Sequence, residues 1–268
     1  MGNNDTYRMA LQTTNNLTYM NKWGNHALTA TAVYEATHSE TRYMGMNGSG
    51  LLTESVGWWN INMASSRTVS NSYSEWALMS GVGRVMYNYD DRYMLTGTIR
   101  ADGSSKFQNK KWGWFPSIAA AWSIGNENFM KNQNIVQDLK VRASYGVIGS
   151  QAIDPYGTLG LMQQAMYAFG GSSQYTGYWV GTSVATPDLT WETTNQLDIG
   201  LDFSILNHRL KFSIDYFDKK AKDGLLQRTI ANYDGGGSYW VNAAEVRNRG
   251  IDFSIDATVF DSSDFTWS

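Results

Sequence analysis

Three histidines, no cysteine and a few paired aspartates are the only raw material for covalent or metal chemistry along these 268 residues. Nucleophilic catalysis needs a base within hydrogen-bond reach of its nucleophile and a third group to orient it. His26 and His208 stand beside short turn sequences, Gly24-Asn25 and Asn207-His208, and His38 falls near the end of a strand pattern. All three read as solvated residues rather than bases. Asp5, Asp90-Asp91, Asp261 and Asp264 also fall at turns, where an aspartate side chain bonds the local backbone. No Asp-x-Asp-x-Asp-Gly loop with a distal glutamate is present, and Gly235-Gly236-Gly237 lacks the following Lys-Ser/Thr of a phosphate loop. Without cysteine there are no disulfides and no thiolate metal sites. The sequence therefore points to no cofactor and no catalysis. A net charge of -3 and a pI near 5.6 also give no basic field for nucleic acid.

The chemistry that is left is recognition. Trp58, Trp59, Tyr175, Tyr178, Trp179, Tyr239 and Trp240 lie in long stretches between strand patterns. Flat aromatic faces there can stack on sugar rings or pack on peptide side chains, and the competing readings are packing of loop on loop or contact with a partner protein. A second set is charged and alternates with apolar residues: Lys140, Arg142, Asp198, Asp202, Lys211, Asp215, Asp252 and Asp256. These fit either the wall of a wet transport path or cross-strand pairing. Asp102-Gly103-Ser104-Ser105 reads as a tight loop with hydroxyls bonded to neighbouring amides.

Strands must position these residues. Leu197, Ile199, Leu201, Phe203 and Ile205 alternate with Asp198, Gly200, Asp202 and Ser204, a period of two. The same pattern recurs over 210–216, 251–259, 139–147, 118–124, 93–100 and 28–35, with less regular strands expected at 6–20 and 74–89. Short connections near Gly24-Asn25, Asp90-Asp91, Asn207-His208 and Asp261-Ser263 alternate with long ones over 43–73, 103–113, 149–189 and 223–247. Over 125–137 the link is intermediate, with one helical turn expected at 126–131. Pro116, Pro155 and Pro187 are expected in loops or at strand starts.

Only 17% of residues are charged while 14% are aromatic, low charge for a soluble domain. No apolar run is long enough for a transmembrane helix. Alternating strands joined by short turns at one end and long loops at the other are the pattern of an outer-membrane barrel. Aromatics near strand ends (Tyr87, Tyr89, Tyr93; Trp112, Trp114, Phe115; Tyr216, Phe217) suit the girdles of such a barrel. A soluble antiparallel sandwich is the competing architecture. Met1–Asp5 has neither the basic nor the apolar region of a signal peptide, so an export signal is expected upstream.

Several segments carry a resemblance. Gly83-Arg84-Val85-Met86-Tyr87-Asn88-Tyr89 leads through Asp90-Asp91-Arg92-Tyr93 to Arg100-Ala101-Asp102-Gly103-Ser104-Ser105-Lys106-Phe107, then to Trp112-Gly113-Trp114-Phe115-Pro116-Ser117. Asp138–Gly146, Gly149-Ser150-Gln151, Pro187–Thr194 and Asn248-Arg249-Gly250-Ile251-Asp252 follow in order. Over about 80–268 the chain resembles the SusC/RagA-like TonB-dependent transporters. The resemblance implies an all-β fold, part of an antiparallel transmembrane barrel of about 22 strands closed by a plug. Residues 1–268 would supply about nine strands and the start of a tenth at Phe265–Ser268, with the plug and the C-terminal strands outside them. It further implies import of glycan or peptide oligomers across the outer membrane of a Gram-negative, Bacteroidetes-like cell. The implied partners are outer-membrane lipid, a SusD-like surface lipoprotein and, through the plug, the TonB-ExbB-ExbD complex. On this reading the inward charges could also bond the plug. The readings from other classes are an outer-membrane barrel enzyme and a soluble carbohydrate-binding β domain.

Overall fold

The computed structural model describes residues 2–51, 53, 55, 57–133, 135–167, 175–180, 183–234, 236–261 and 266–267. Nine strands form one antiparallel sheet: β1 (Gly2–Trp23), β2 (His26–Leu51), β3 (Ala64–Tyr89), β4 (Tyr93–Ser104), β5 (Trp112–Ser123), β6 (Val136–Ser150), β9 (Glu192–Ile205), β10 (Leu210–Thr229) and β11 (Ser238–Ala257). Each pairs with the strand before it in the chain, except that β9 follows β6 directly. Between those two lies a separate hairpin, β7 (Met162–Tyr167) with β8 (Tyr175–Val180). A short hairpin, β12 (Phe260–Asp261) with β13 (Thr266–Trp267), follows β11. Thr266–Trp267 of the expected tenth strand therefore pairs back on β12, while Phe265 and Ser268 lie outside the described residues.

The register shows why alternation specifies this sheet. Leu28, Tyr87, Leu95, Ala120, Ala143, Ile199, Tyr216 and Ile251 are successive cross-strand partners from β2 to β11. The neighbouring row runs His26, Tyr89, Tyr93, Trp122, Val141, Leu201, Ile214 and Phe253. A slip of one residue on β6, β9, β10 or β11 would throw charge into these rows. Among the described residues no second layer covers this face: Leu17 is 74% exposed, Ile118 55%, Ile251 70% and Phe253 60%. A sandwich would bury this face against another sheet, so it is a surface made for an apolar solvent.

Aromatics mark the lower edge of that surface. Trp23 stacks on His26 at 5.8 Å, His26 meets Tyr89 at 4.8 Å, Tyr89 meets Tyr93 at 6.4 Å and Tyr93 meets Trp122 at 6.2 Å. On β5 the same face carries Trp114 at its other end, eight residues from Trp122. At about 3.3 Å per residue and a tilt near 40°, that interval is roughly 20 Å along the membrane normal, close to an outer-membrane apolar band. Two members of the expected girdle turn the other way. Phe115 pairs with Arg100 and Phe217 with Asp198, which puts both on the polar face.

The turns at the aromatic end are tight. Asp90 and Asp91 both have φ near 53°, the left-handed pair at the centre of a type I′ turn, which Arg92 N–H closes onto Tyr89 O at 3.0 Å. Arg92 bridges to Asp90 at 2.9 Å, and Asp90 N–H donates to Asn25 O at 2.7 Å. Leu206, Asn207 and His208 also take positive φ.

At the opposite end much of what reads as loop is strand. β2 and β3 each run 26 residues, where about 9–11 suffice to span a bilayer, so most of 43–73 is hairpin and only 52–63 connects. Strands expected at 6–20 and 74–89 extend likewise to 2–23 and 64–89. β10 and β11 shorten the loop at 223–247 to 230–237, and a hairpin occupies part of 149–189. Beyond the bilayer both faces are wet, so polar residues such as Asn71, Ser72 and Ser74 fill both faces and erase the period. The helical turn expected at 126–131 is two 3-10 turns, Ile124–Asn126 and Asn128–Met130. Pro116 lies inside β5 rather than at its start, but the β5–β6 ladder begins only at Ser117. Pro155 and Pro187 lie in connections.

Spin labels check the assignment of faces. In the intact membrane protein, labels at Leu201, Phe212 and Phe253 should be relaxed by lipid-phase oxygen, and those at Asp202, Ser213 and Ser254 by a water-soluble agent. The reverse pattern would invert the sheet.

Candidate functional site

The polar face of β6, β9, β10 and β11 carries all eight charged residues expected on it. Arg142 stands at its centre. Its guanidinium donates to Asp202 Oδ2 at 2.9 Å and Oδ1 at 3.2 Å, to Asp215 Oδ2 at 2.8 Å and to Ser213 Oγ at 3.2 Å. Arg142 and Asp215 are both register partners of Gly200, so the side chain must cross that strand. Glycine permits it: a Cβ at position 200 would lie 2.6 Å from the Arg142 guanidinium carbon and 2.5 Å from Asp215 Oδ1. Ser213 Oγ in turn donates to Asp202 Oδ1 at 2.8 Å. Asp198 accepts from Gln196 Nε2 at 2.8 Å. Lys140 is the register partner of Asp202, Lys211 of Asp256 and Asp252 of Asp215. Cross-strand pairing thus takes Arg142, Asp202 and Asp215. Lys140, Lys211, Asp252 and Asp256 make no direct ion pair among the described residues.

Toward the long-hairpin end two connections, β4–β5 and β6–β9, fold over this polar face. Phe107, Phe115, Ile153, Leu189 and Trp191 form a buried cluster, with Leu78, Val147, Leu225 and Trp240 packed against it. Trp191 meets Phe107 at 5.3 Å and Phe115, edge-on, at 5.6 Å, and its Nε1 donates to Lys111 O at 3.0 Å. Polar contacts knit the connections together. Ser104 Oγ donates to Gln151 Oε1, Lys106 Nζ to Ile153 O at 2.7 Å, Thr158 Oγ1 to Lys106 O at 3.1 Å and Asn109 Nδ2 to Asp188 Oδ1 at 3.0 Å. Burial pushes the Lys106 ammonium below its ordinary pKa. Arg100 clamps Asp102 through Nε at 2.7 and 2.9 Å and reaches Ser80 at 3.1 Å. Asp102-Gly103-Ser104-Ser105 is a packing element here, since Asp102 and Ser104 are buried and Ser105 Oγ accepts from Ala77 N–H at 2.8 Å.

Asn242 was not legible as a special residue. A bulge at Ala221/Gly224, with Asp223 at φ 55°, shifts the β10–β11 register. Asn242 Nδ2 donates to Asp223 O at 2.7 Å and to Thr190 O at 2.9 Å, and its Oδ1 accepts from Thr190 N–H at 2.9 Å. This ties the connection before β9 to the bulged strands and brings Trp240 to the cluster.

The loop aromatics separate. Trp240 packs on the buried cluster, and Tyr239, its neighbour on β11, is half-buried. Trp59 lies on the 3-10 segment Gly57–Met63 and is 80% exposed. Trp58 is on the same segment, and Tyr175, Tyr178 and Trp179 are on β8; their side chains lie outside the described residues.

At the short-turn end Glu127 gathers three donors. Tyr93 Oη donates at 2.7 Å, Trp122 Nε1 at 3.0 Å and Arg92 at 3.4 Å. The Tyr93 hydroxyl and the Trp122 indole hold its carboxyl below the ordinary glutamate pKa. Nearby His208 meets Asp138 Oδ2 at 2.8 Å and Ser204 Oγ at 3.1 Å through the same Nδ1 atom. A relay needs the carboxylate and the hydroxyl on opposite ring nitrogens, so this trio fastens a turn and does not activate the serine.

A meander of long strands with one face for hydrocarbon and one for water is the wall of a membrane barrel. The whole chain, residues 1–268, matches the family described as "TonB dependent receptor-like, beta-barrel" and belongs to it. The family is an outer-membrane one. Among curated relatives, the chain is 38% identical over 256 residues to TonB-dependent receptor P3 of Formosa agariphila, covering 95% of this chain and 25% of that protein. It is 37% identical over 199 residues to TonB-dependent receptor SusC of Bacteroides thetaiotaomicron, covering 71% of this chain and 19% of the relative. In fold it is similar to a solved structure of the RagAB peptide transporter, with a TM-score of 0.88, 24% identity, and 99% of this chain and 29% of that chain covered. SusC and RagA are thus the branch of TonB-dependent receptors that the chain resembles, and it spans about a quarter of the length of such proteins.

Phe107 offers a direct test of the packed connections, since it is fully buried. Phe107→Ala should cost about 3–5 kcal/mol of local stability. Limited proteolysis of the intact protein should then cut within 105–111, where the unaltered protein resists.

Proposed function

We propose that this chain is part of the barrel wall of an energised outer-membrane importer of nutrient oligomers, glycans or peptides. The observation that carries the reading is the polar face: fixed charges on β6, β9 and β10 lie beneath connections packed inward at one end. Such a wall is wet and rigid, as a lumen that passes solutes must be, and no covalent step is required of it. Substrate would bind between the long extracellular connections and a plug. Coupling to TonB-ExbB-ExbD would then remodel the plug, and the solute would move along the polar face. The plug belongs to the remainder of the longer protein, and the Arg142–Asp202–Asp215 network faces the space it would fill. A SusD-like lipoprotein would sit on the long-hairpin side, where exposed Trp59 and the β7–β8 hairpin are the candidate contacts for ligand or lipoprotein.

Two measurements test this. Labelled oligopeptides and oligosaccharides are offered to cells with and without the gene. Uptake of one class should depend on the gene and stop on adding a protonophore; uptake of neither, or uptake indifferent to the protonophore, sinks the reading. For orientation, an epitope placed after Asp234 should be stained on whole cells, whereas one after Asn207 should need permeabilised cells. Staining at Asn207 alone would reverse the wall.

A further inference from the structure

The outward face of β10 and β11 changes character abruptly. Leu210, Phe212, Ile214 and Tyr216 on β10 face the same way as Ala257, Ile255, Phe253 and Ile251 on β11. Immediately beyond Tyr216 and Ile251, the same face carries Asp218, Lys220 and Lys222 on one strand and Arg249, Arg247 and Glu245 on the other. Four cations therefore meet two carboxylates. Both carboxylates are already engaged: Arg247 grips Asp218 at 2.9 and 2.5 Å, and Lys220 bridges to Glu245 at 2.5 Å. Arg249 and Lys222, both exposed, make no direct ion pair among the described residues.

Position gives these charges a meaning that a solvated surface would not. They begin within one cross-strand pair of the lipid-facing Tyr216–Ile251 pair, the depth at which acyl chains give way to headgroups. Basic residues at that depth attract anionic headgroups. The regular β10–β11 ladder ends at Ala221–Val246, and Lys222 stands in the bulge that follows, before Gly224, so the cluster closes where the regular ladder does. Aromatic and apolar side chains lie directly below it, where chains attached to a bound headgroup would run.

We propose that Lys220, Lys222, Arg247 and Arg249 form a binding surface for the phosphate-bearing headgroup of a membrane lipid. Lys222 and Arg249 supply the uncommitted charge, while Asp218 and Glu245 hold the other two cations in place and limit the net charge. Which leaflet supplies the lipid follows from the orientation proposed above. Binding in detergent does not depend on that orientation, so the two ideas can fail separately.

The test uses the intact transporter in mild detergent, titrated with dioctanoyl phosphatidic acid, dioctanoyl phosphatidylcholine or inorganic phosphate, with bound lipid counted by native mass spectrometry. Phosphatidic acid should bind more tightly than phosphatidylcholine, and inorganic phosphate at equal concentration should not displace it. Lys222→Gln with Arg249→Gln should weaken phosphatidic acid by roughly 5-fold per charge removed, on the order of 25-fold together. Glu245→Gln releases Lys220 and should strengthen binding several-fold, an opposite effect that misfolding cannot mimic. Equal affinity for the two lipids, no response to the paired substitution, or displacement by inorganic phosphate would each overturn the proposal.

Discussion

A backbone in hydrocarbon has no water to bond, so every N–H and C=O within the apolar band must find its partner in the next strand. This constraint organises the structure. From the Tyr93–Trp122 pair to the Tyr216–Ile251 pair the ladder runs without a register shift. Irregularities fall outside it, at Val136/Asp138 near the short turns and at Ala221/Gly224/Leu225 beyond the cluster of charges. Pro116, which has no N–H to give, stands where one side of β5 carries no ladder.

The same constraint sorts the side chains. With the ladder unbroken, each strand can only alternate, and the choice of residue is set by which solvent each face meets. Outward residues need no partners, which explains why so many large apolar side chains are exposed. Among the inward charges, Arg142 reaches over Gly200 to two carboxylates on different strands. Partly exposed pairs of this kind are worth on the order of 1 kcal/mol or less each. They serve to fix where charge sits along the wall more than to hold the sheet together.

Where the wall leaves the bilayer, different forces act. Water is available to the backbone, bulges become affordable, and stability comes from apolar burial instead. Phe107, Phe115, Leu189 and Trp191 supply it. They come from the very segments, Asp102–Phe107, Trp112–Ser117 and Pro187–Thr194, by which the chain resembles its family. Those segments are recognisable because they build one packed unit over the polar face, with Gln151 from a fourth segment bonded to Ser104. Their role is structural, and Trp240 belongs to this unit rather than to a free rim of aromatics.

Within the band, sequence alone determined nearly everything: the strands, their faces, the tight turns at Gly24-Asn25 and Asp90-Asp91, and the polar row of Lys140, Arg142, Asp198, Asp202, Lys211, Asp215, Asp252 and Asp256. A period of two between oil and water is a local signal, readable residue by residue. Outside the band that signal vanishes because both faces are wet, so the hairpin extensions of β2 and β3 looked like a loop. Partners distant in the chain were decided only by the tertiary structure. Gly200 makes room for Arg142, Asn242 braces Thr190 and the bulge at Asp223, Glu127 collects Tyr93 and Trp122, and Phe115 turns inward rather than joining a girdle. Each of these depends on which strand stands beside which and on where a connection folds back, and composition at a single position carries neither.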